Sequence, residues 1–301
     1  MDVVFSINRI GLEGLGATLT SLIRNCSDSA SLNLSFLCSG LFSSDKNNIY
    51  ALLKQENFKG GAEFINFNAR QKFGHLRPLH GDWTTYGRLL IPAIFNKKNV
   101  LYLDSDLIIT KDILLLKDFY SDMALSAVCS CDVQWSLEKS FFINKLQWKP
   151  TTNYFNAGVL LYNIITWKEK NINKKMEEIS LKYPDEFLSA DQTLLNAVFE
   201  GNFGFLPQTF NSSWNPAQIK FLVDDIAIIH FVGSPKPWDL FGKKVHYGYN
   251  TWNAYNTSFW KSKYGRINAN KIRRTWRIRR SILKSLKLRF LRSKAKHQDG
   301  K

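Results

Sequence analysis

Short apolar runs alternate along the chain with longer segments whose apolar residues recur at helical spacing, a pattern that predicts an α/β architecture. Val3–Ile7 reads as a first strand, followed by a helix over Leu12–Asn25 with Leu15, Leu19, Leu22 and Ile23 on one face. Asn33–Cys38 and Glu63–Phe67 read as strands on either side of a helix over Asp45–Gln55, with Asp45 as its N-cap. Tyr86–Phe95 reads as helical, with a kink at Pro92. Val100-Leu101-Tyr102-Leu103 is unbroken apolar chain, as expected of a strand buried on both faces, and it ends at Asp104-Ser105-Asp106. Ala124–Cys129 and Phe155–Tyr162 read as further buried strands, and Trp167–Tyr183 and Asp191–Phe199 as helices. A late strand, Ile226–Phe231, carries His230 and runs into the loop Gly233-Ser-Pro-Lys-Pro-Trp238. Trp135–Asn153 lacks periodicity and reads as a substrate-facing loop, and residues 239–265 read as aromatic and irregular.

With 301 residues, 45% of them hydrophobic, the chain can build one large α/β domain plus an appendage. The net charge of +16 suggests a nucleic-acid binder until it is located. Residues 266–301 hold 14 Lys/Arg and a single acid, Asp299, which leaves only +3 for residues 1–265. The chain therefore divides into a body, 1–265, and a basic tail, 266–301. In the tail Trp276, Leu283, Leu286 and Phe290 can share one helical face, beside a stripe of Arg273, Arg277, Arg280, Lys284 and Lys287. That is the pattern of an interfacial helix on anionic lipid, engaging residues 266–296. A solvated, disordered tail is the plainer alternative. No recognised nucleic-acid fold accompanies the charge, so nucleic acid is not an expected partner. The start, Met1-Asp2-Val3-Val4-Phe5, does not read as a secretory signal, and no apolar stretch reaches the roughly 20 residues that span a bilayer. Cys26, Cys38, Cys129 and Cys131 lack zinc spacing, and Cys129-x-Cys131 is too close for an unstrained disulfide. They read as reduced thiols of a cytoplasmic protein.

Asp104-x-Asp106 closes a predicted buried strand, and α/β sheets bind ligands outside the carboxyl ends of their strands. Two carboxylates two residues apart on extended chain point the same way and repel unless a divalent cation lies between them. Alone, the pair fits solvated turn acids better than a metal site. His230, also at a strand end, can complete a metal site, and two carboxylates with an imidazole suit Mn²⁺ better than Mg²⁺. Taken singly, His230 reads as a structural histidine, Lys236 as a surface lysine and Asp191 as a helix cap. A phosphatase of the Asp-x-Asp-x-Thr type requires the motif on the first strand and Thr or Val where Ile108 stands. A catalytically inactive body that binds membrane or nucleic acid through the tail is the other reading.

Several strings, in order, resemble glycosyltransferase family 8 in its bacterial lipopolysaccharide galactosyl- and glucosyltransferase branch. They are Val100-Leu-Tyr-Leu-Asp-Ser-Asp-Leu107, Tyr154-Phe-Asn-Ala-Gly-Val-Leu-Leu-Tyr-Asn163, Asp191-Gln192 with Leu195-Asn196, His230-Phe-Val-Gly-Ser-Pro-Lys-Pro-Trp238 and Thr84-Thr-Tyr-Gly-Arg-Leu89. The resemblance implies a GT-A fold, Rossmann-like and nucleotide-sugar-binding, with a mixed, mainly parallel sheet flanked by helices and followed here by the helical tail. It implies a retaining transfer of galactose or glucose from a UDP-sugar, with Mn²⁺ or in its place Mg²⁺. The acceptor would be a saccharide or glycolipid, such as the lipopolysaccharide core or another cell-surface glycan, at the inner face of the cytoplasmic membrane. By the same resemblance Asp104, Asp106 and His230 hold the metal. Arg88, Asp104, Ser105, Gly233 and Lys236 meet the donor, and Asp132, Asn156, Asp191 and Gln192 line its sugar, with Gln192 nearest the reacting carbon. The family's acidic, Tyr-containing segment after the first strand reads here Ser6-Ile-Asn-Arg-Ile-Gly11, which leaves Asn8 and the backbone of Ser6 and Ile7 to hold the nucleotide. An amide such as Gln192 is a poor nucleophile, so the expected route is front-face attack by the acceptor rather than a carboxylate-linked intermediate.

Overall fold

The computed structural model describes residues 1–220 and 225–298, the last seven of these by their backbone alone. The tail's final residues, 299–301, lie outside the described residues. Ten strands are present among the described residues: β1 (Asp2–Ile7), β2 (Asn33–Cys38), β3 (Gly61–Asn66), β4 (Asn99–Leu103), β5 (Leu107–Ile109), β6 (Leu125–Asp132), β7 (Asn153–Asn163), β8 (Gly204–Phe205), β9 (Ser212–Ser213) and β10 (Ile228–His230). Seven of them form one sheet in the order β3-β2-β1-β4-β7-β6-β8. β1 to β4 run parallel, while β7 is antiparallel to both β4 and β6. The period-2 alternation of strands sorts their side chains onto two buried faces. Val4, Val100, Tyr102 and Leu160 pack on one side against Tyr86, Trp167 and Leu194. Val3, Phe5, Leu101, Leu103 and Leu161 pack on the other against Leu15, Leu19 and Leu22.

The second sheet, β5-β10-β9, decides where the chemistry sits. The Asp104 N–H still reaches the Gly158 carbonyl of β7 (2.9 Å), and beyond it the chain turns out of the large sheet. After Asp104-Ser105-Asp106 it re-enters as β5, antiparallel to β10, with His230 opposite Leu107. Phe231 N–H then donates to the Asp106 carbonyl at 3.1 Å. One strand pairing thus brings a histidine 124 positions downstream beside the second acid.

Several local expectations change in the folded chain. Asp45 sits in the first turn of the helix Ser43–Gln55, whose N-cap is Phe42, and accepts the Phe42 N–H at 3.0 Å. Tyr86–Phe95 is a tight 3-10 segment, Thr84–Leu90, followed by a short α-turn that Pro92 opens rather than kinks. The Trp167–Tyr183 helix breaks in two around Asn171, which adopts a left-handed φ of 50°. Within Trp135–Asn153 a helical turn, Ser140–Lys145, buries Phe141 and Phe142 and leaves Trp135 exposed.

Residues 239–265 are not irregular. They form the helices Gly242–Val245, Tyr249–Tyr255 and Ser258–Tyr264 and bury Trp252 and Trp260. Trp260 lies against Gly16 of the helix Leu12–Arg24 and donates its ring N–H to the Leu12 carbonyl at 2.8 Å. The tail is helical over Ala269–Arg277 and Arg279–Gln298 and rests on the body. Ile282 and Ser285 are buried, whereas Trp276, Leu283, Leu286 and Phe290 are exposed. Among the described residues no helix is long and apolar enough to cross a membrane, and all four cysteines are free.

Candidate metal and donor site

Asp104, Asp106 and His230 each offer one ligand atom, and these atoms lie within 4.8 Å of one another. The two acids are held differently. Asp104 Oδ1 accepts from Tyr102 OH (2.7 Å) and Arg88 Nη2 (2.9 Å), which leaves Oδ2, 3.9 Å from His230 Nε2, to face the shared point. Asp106 Oδ2 meets Lys236 Nζ at 2.7 Å. Its Oδ1 is buried and accepts no hydrogen bond, although His230 Nε2 is 3.2 Å away. Burial by itself raises the Asp106 pKa, but the Lys236 ammonium and, when it carries a second proton, the His230 ring outweigh it and hold the carboxyl well below the usual carboxylate range.

A continuous hydrogen-bond chain fixes the imidazole. Gln192 Oε1 accepts from the Ala157 N–H (3.0 Å) and Asn156 Nδ2 (3.1 Å). Asn156 Oδ1 accepts from the Gly158 N–H (2.9 Å) and Asn211 Nδ2 (2.9 Å). Asn211 Oδ1 is therefore the atom facing His230 Nδ1 at 2.9 Å, so Nδ1 carries the proton. The neutral ring then turns the Nε2 lone pair towards Asp106 Oδ1, one acceptor against another. A cation between them, or a second ring proton, resolves that conflict, and the donor set of two carboxylates and an imidazole with a hydrogen-bonded Nδ1 fits a divalent metal. Gly158 is part of the design, because a Cβ there would stand 2.3 Å from His230 Cε1.

At its other end the chain runs from Gln192 Nε2 to Tyr154 OH (2.8 Å) and from that hydroxyl to the buried Glu138 (3.1 Å). Gln192 is brought to β7 by Asn196 one turn later on the helix Asp191–Phe199. Asn196 exchanges hydrogen bonds with both backbone groups of Phe155. Asp191 and Arg88, both expected at the donor, are buried against each other (Nε–Oδ2 2.8 Å), and Arg88 bridges Asp191 to Asp104 while also donating to the Thr85 and Ala157 carbonyls. Burial lifts the Asp191 carboxyl to about 6, with Arg88 opposing the rise. Desolvation lowers the Arg88 pKa, but the two acids overcome this and hold its charge firmly.

The remaining expected residues surround this centre. Ser6 Oγ donates to the Thr84 carbonyl at 2.6 Å, and Ile7 is a core side chain whose carbonyl accepts from Ser39. Asn8 Oδ1 caps the turn Asn8–Gly11 by accepting from the Ile10 and Gly11 N–H groups. Ser105 packs against Gly11 and Gly14 at the start of the first helix. Gly233 takes a left-handed φ of 72° at the head of the Lys236 loop. Asp132 ends β6 opposite Asn153 and receives a long 3.5 Å contact from Gln134. Sequence reading assigns no role to Tyr102, Glu138, Tyr154, Asn211 or Gly158. Tyr102, Tyr154 and Gly158 lie inside the strings that carry the family resemblance, and Tyr102 shares a strand face with Asp104, whereas Glu138 and Asn211 carry no local signal.

The model of glycosyl transferase family 8 matches residues 2–241. The chain belongs to glycosyl transferase family 8. This family 8 chain is 26% identical to the lipopolysaccharide 1,3-galactosyltransferase of Salmonella typhimurium over 272 residues, 85% of this chain and 75% of that one. It is 24% identical to the lipopolysaccharide 1,2-glucosyltransferase of Escherichia coli K12 (79% and 72% of the two chains) and 24% identical to general stress protein A of Bacillus subtilis (80% and 90%). The solved structure of the galactosyltransferase LgtC superposes with a TM-score of 0.70 at 23% identity, covering 90% of this chain and 98% of that one. The family 8 fold is thus GT-A, with its mixed, mostly parallel sheet flanked by helices, and the chain is a glycosyltransferase with a site able to hold a divalent metal.

Proposed function

We propose that this glycosyltransferase moves galactose or glucose, with retention, from a UDP-sugar to a saccharide acceptor of the lipopolysaccharide core or another cell-surface glycan. The observation that carries the reading is the convergence of Asp104, Asp106 and His230 with Lys236 at one point, at the carboxyl end of β4. Asp104, Asp106 and His230 hold Mn²⁺ in this reading, and Mg²⁺ is the weaker substitute because it prefers oxygen ligands. A bound divalent ion polarises the donor diphosphate and stabilises negative charge on the leaving oxygen. Lys236 supplies a mobile point charge to the same phosphate, and Gly233 lets the loop backbone approach it closely. Arg88, saturated by its own partners, acts on the donor through Asp104, which it keeps ionised and oriented.

Gln192 presents a fixed amide rather than a nucleophile. Its oxygen already accepts two hydrogen bonds and its nitrogen donates to Tyr154. This supports front-face attack, in which the acceptor hydroxyl enters on the side the diphosphate leaves and no sugar–enzyme bond forms. The names of the Salmonella and Escherichia relatives support the galactose or glucose donor and the lipopolysaccharide acceptor. The exposed Trp276, Leu283 and Phe290 among the tail's Arg and Lys residues support peripheral binding to anionic lipid at the cytoplasmic face.

The test is a panel of UDP-hexoses with Mn²⁺, read as UDP release with and without lipopolysaccharide-derived acceptor. Acceptor-stimulated release from UDP-galactose or UDP-glucose is expected. No release from any member of the panel would sink the reading. Sedimentation with phosphatidylglycerol vesicles tests the tail: a chain ending at residue 265 that still sediments with them excludes lipid binding through residues 266–296.

A further inference from the structure

The loop that carries Lys236 leaves β10 and is closed by Asp239, whose Oδ2 accepts the Lys236 N–H at 2.6 Å while the Asp239 N–H returns to the Lys236 carbonyl at 3.1 Å. Asp239 lies outside every motif considered above, and its side chain is only 5% exposed. A nearly buried carboxylate needs a cation, and the cation comes from the tail. Arg274 grips Asp239 with both prongs, Nε to Oδ1 at 2.5 Å and Nη2 to Oδ2 at 3.0 Å, and reaches Ser234 Oγ at 3.5 Å. The helix bearing Arg274, Ala269–Arg277, is pinned one turn earlier, where Lys271 pairs with Glu13 in the first turn of Leu12–Arg24. That neighbouring turn is itself packed on the loop, since a Cβ on Gly14 would meet the Trp238 ring at 2.8 Å and the Ser105 carbonyl at 2.5 Å. The tail helix therefore clasps the two segments that flank Asp104-Ser105-Asp106.

We propose that Arg274 is a positioning residue of the donor site: through Asp239 it sets the backbone from which Lys236 reaches the donor diphosphate. The inference rests on the reading of Lys236 as the diphosphate contact. A lysine ammonium sits at the end of a flexible four-carbon stem, so where it settles depends on how firmly its backbone is held. Here the hold is the Asp239–Lys236 turn, and the turn keeps its charge balance only while Arg274 is present. Without it a desolvated carboxylate loses its cation, the loop opens towards water, and Lys236 Nζ loses its preset place 2.7 Å from Asp106 Oδ2.

The experiment measures UDP affinity by calorimetry in saturating Mn²⁺ on the full chain, for wild type, Arg274→Ala, Lys236→Ala and the double variant. Thermal melting is recorded for each. Arg274→Ala is expected to weaken UDP binding about tenfold, the size of coupling between groups in contact. In the Lys236→Ala background the same change is expected to add nothing. Arg274→Lys, which keeps charge but not the fork, should recover part of the loss. Should Arg274→Ala fail to fold, Asp239→Asn carries the test, because it keeps an acceptor for the Lys236 N–H and removes the ion pair. Equal losses from Arg274→Ala in both backgrounds, or unchanged UDP affinity in a folded Arg274→Ala or Asp239→Asn chain, overturn the proposal. A Lys236→Ala chain with wild-type UDP affinity instead removes the reading of Lys236, and the proposal falls with it.

Discussion

Gly158→Ala isolates the imidazole from every other part of the site. The added methyl would stand 2.3 Å from His230 Cε1 and 2.7 Å from Nδ1. Carbon atoms in contact settle at about 3.5 Å, so one partner must yield by about 1 Å. The methyl is carried by β7 at a bulge against β6, where Gly158 is held by its carbonyl, which accepts the Asp104 N–H at 2.9 Å, and by its own N–H, which donates to Asn156 Oδ1 at 2.9 Å; that same oxygen, 3.0 Å from the methyl, blocks a sideways escape. The ring is the part that moves, and it gives up its bond to Asn211 as it does so. A displacement of about 1 Å of a reacting or coordinating group costs roughly 10²-fold. Mn²⁺ titration followed by electron paramagnetic resonance, with UDP-hexose turnover in parallel, should show both losses. His230→Ala should match them, and the double variant should be no worse. A folded Gly158→Ala chain that binds Mn²⁺ as wild type does, with normal turnover, refutes the placement of His230 as a ligand.

Other outcomes follow from the same geometry. Asn211→Ala removes the group that fixes the His230 tautomer and should weaken Mn²⁺ binding roughly 10- to 100-fold in the same titration; unchanged affinity would show that the tautomer is set elsewhere. Gly16→Ala drives a methyl to 2.1 Å from the Trp260 ring and should cost about 1–3 kcal/mol in urea unfolding, without altering the metal site. His246 is held neutral: burial first, then Lys236 and Arg289, bring its pKa from 6.5 down to about 3. The folded state therefore binds fewer protons than the unfolded one below pH 6.5, and stability is lost as pH falls from there towards 3. At pH 5 the loss is about 2 kcal/mol, and His246→Asn, whose Oδ1 takes the place of Nδ1 as acceptor for the Gly248 N–H, should lose less between pH 7 and 5. Parallel slopes for the two chains would contradict the assignment.

What the sequence revealed divides along physical lines. Strands buried on both faces announce themselves as unbroken apolar runs, which is why β1, β2 and β4 were legible and why the acids at the end of β4 stood out. Arg88 was identified as a residue of the site but not for what it touches, because a 3-10 segment with no apolar stripe points it inward between two carboxylates. The Glu138–Tyr154–Gln192–Asn156–Asn211–His230 chain links residues from five separate stretches, and no local periodicity encodes such a network. The helices after residue 239 escaped notice because their tryptophans are specified by the glycine-lined faces they fill, Gly16 for Trp260 in particular. The tail is legible as helical, but its break at Ile278, which parts Trp276 from Leu283, Leu286 and Phe290, is not, and Arg279–Gln298 does not gather its apolar residues on one face. The tail's grip on the body was not legible either, since Lys271 and Arg274 resemble every other basic residue there until Glu13 and Asp239 are seen beside them.

The proposed transfer requires a divalent ion at Asp104, Asp106 and His230 serving the donor diphosphate. Turnover of the UDP-hexose chosen by the donor panel, measured in excess chelator and after Mn²⁺ is added back, tests this most directly. Activity should vanish with the chelator, return with Mn²⁺, and fail to return in Asp104→Asn and Asp106→Asn. Full turnover in the chelator, or full recovery in either variant, would contradict it.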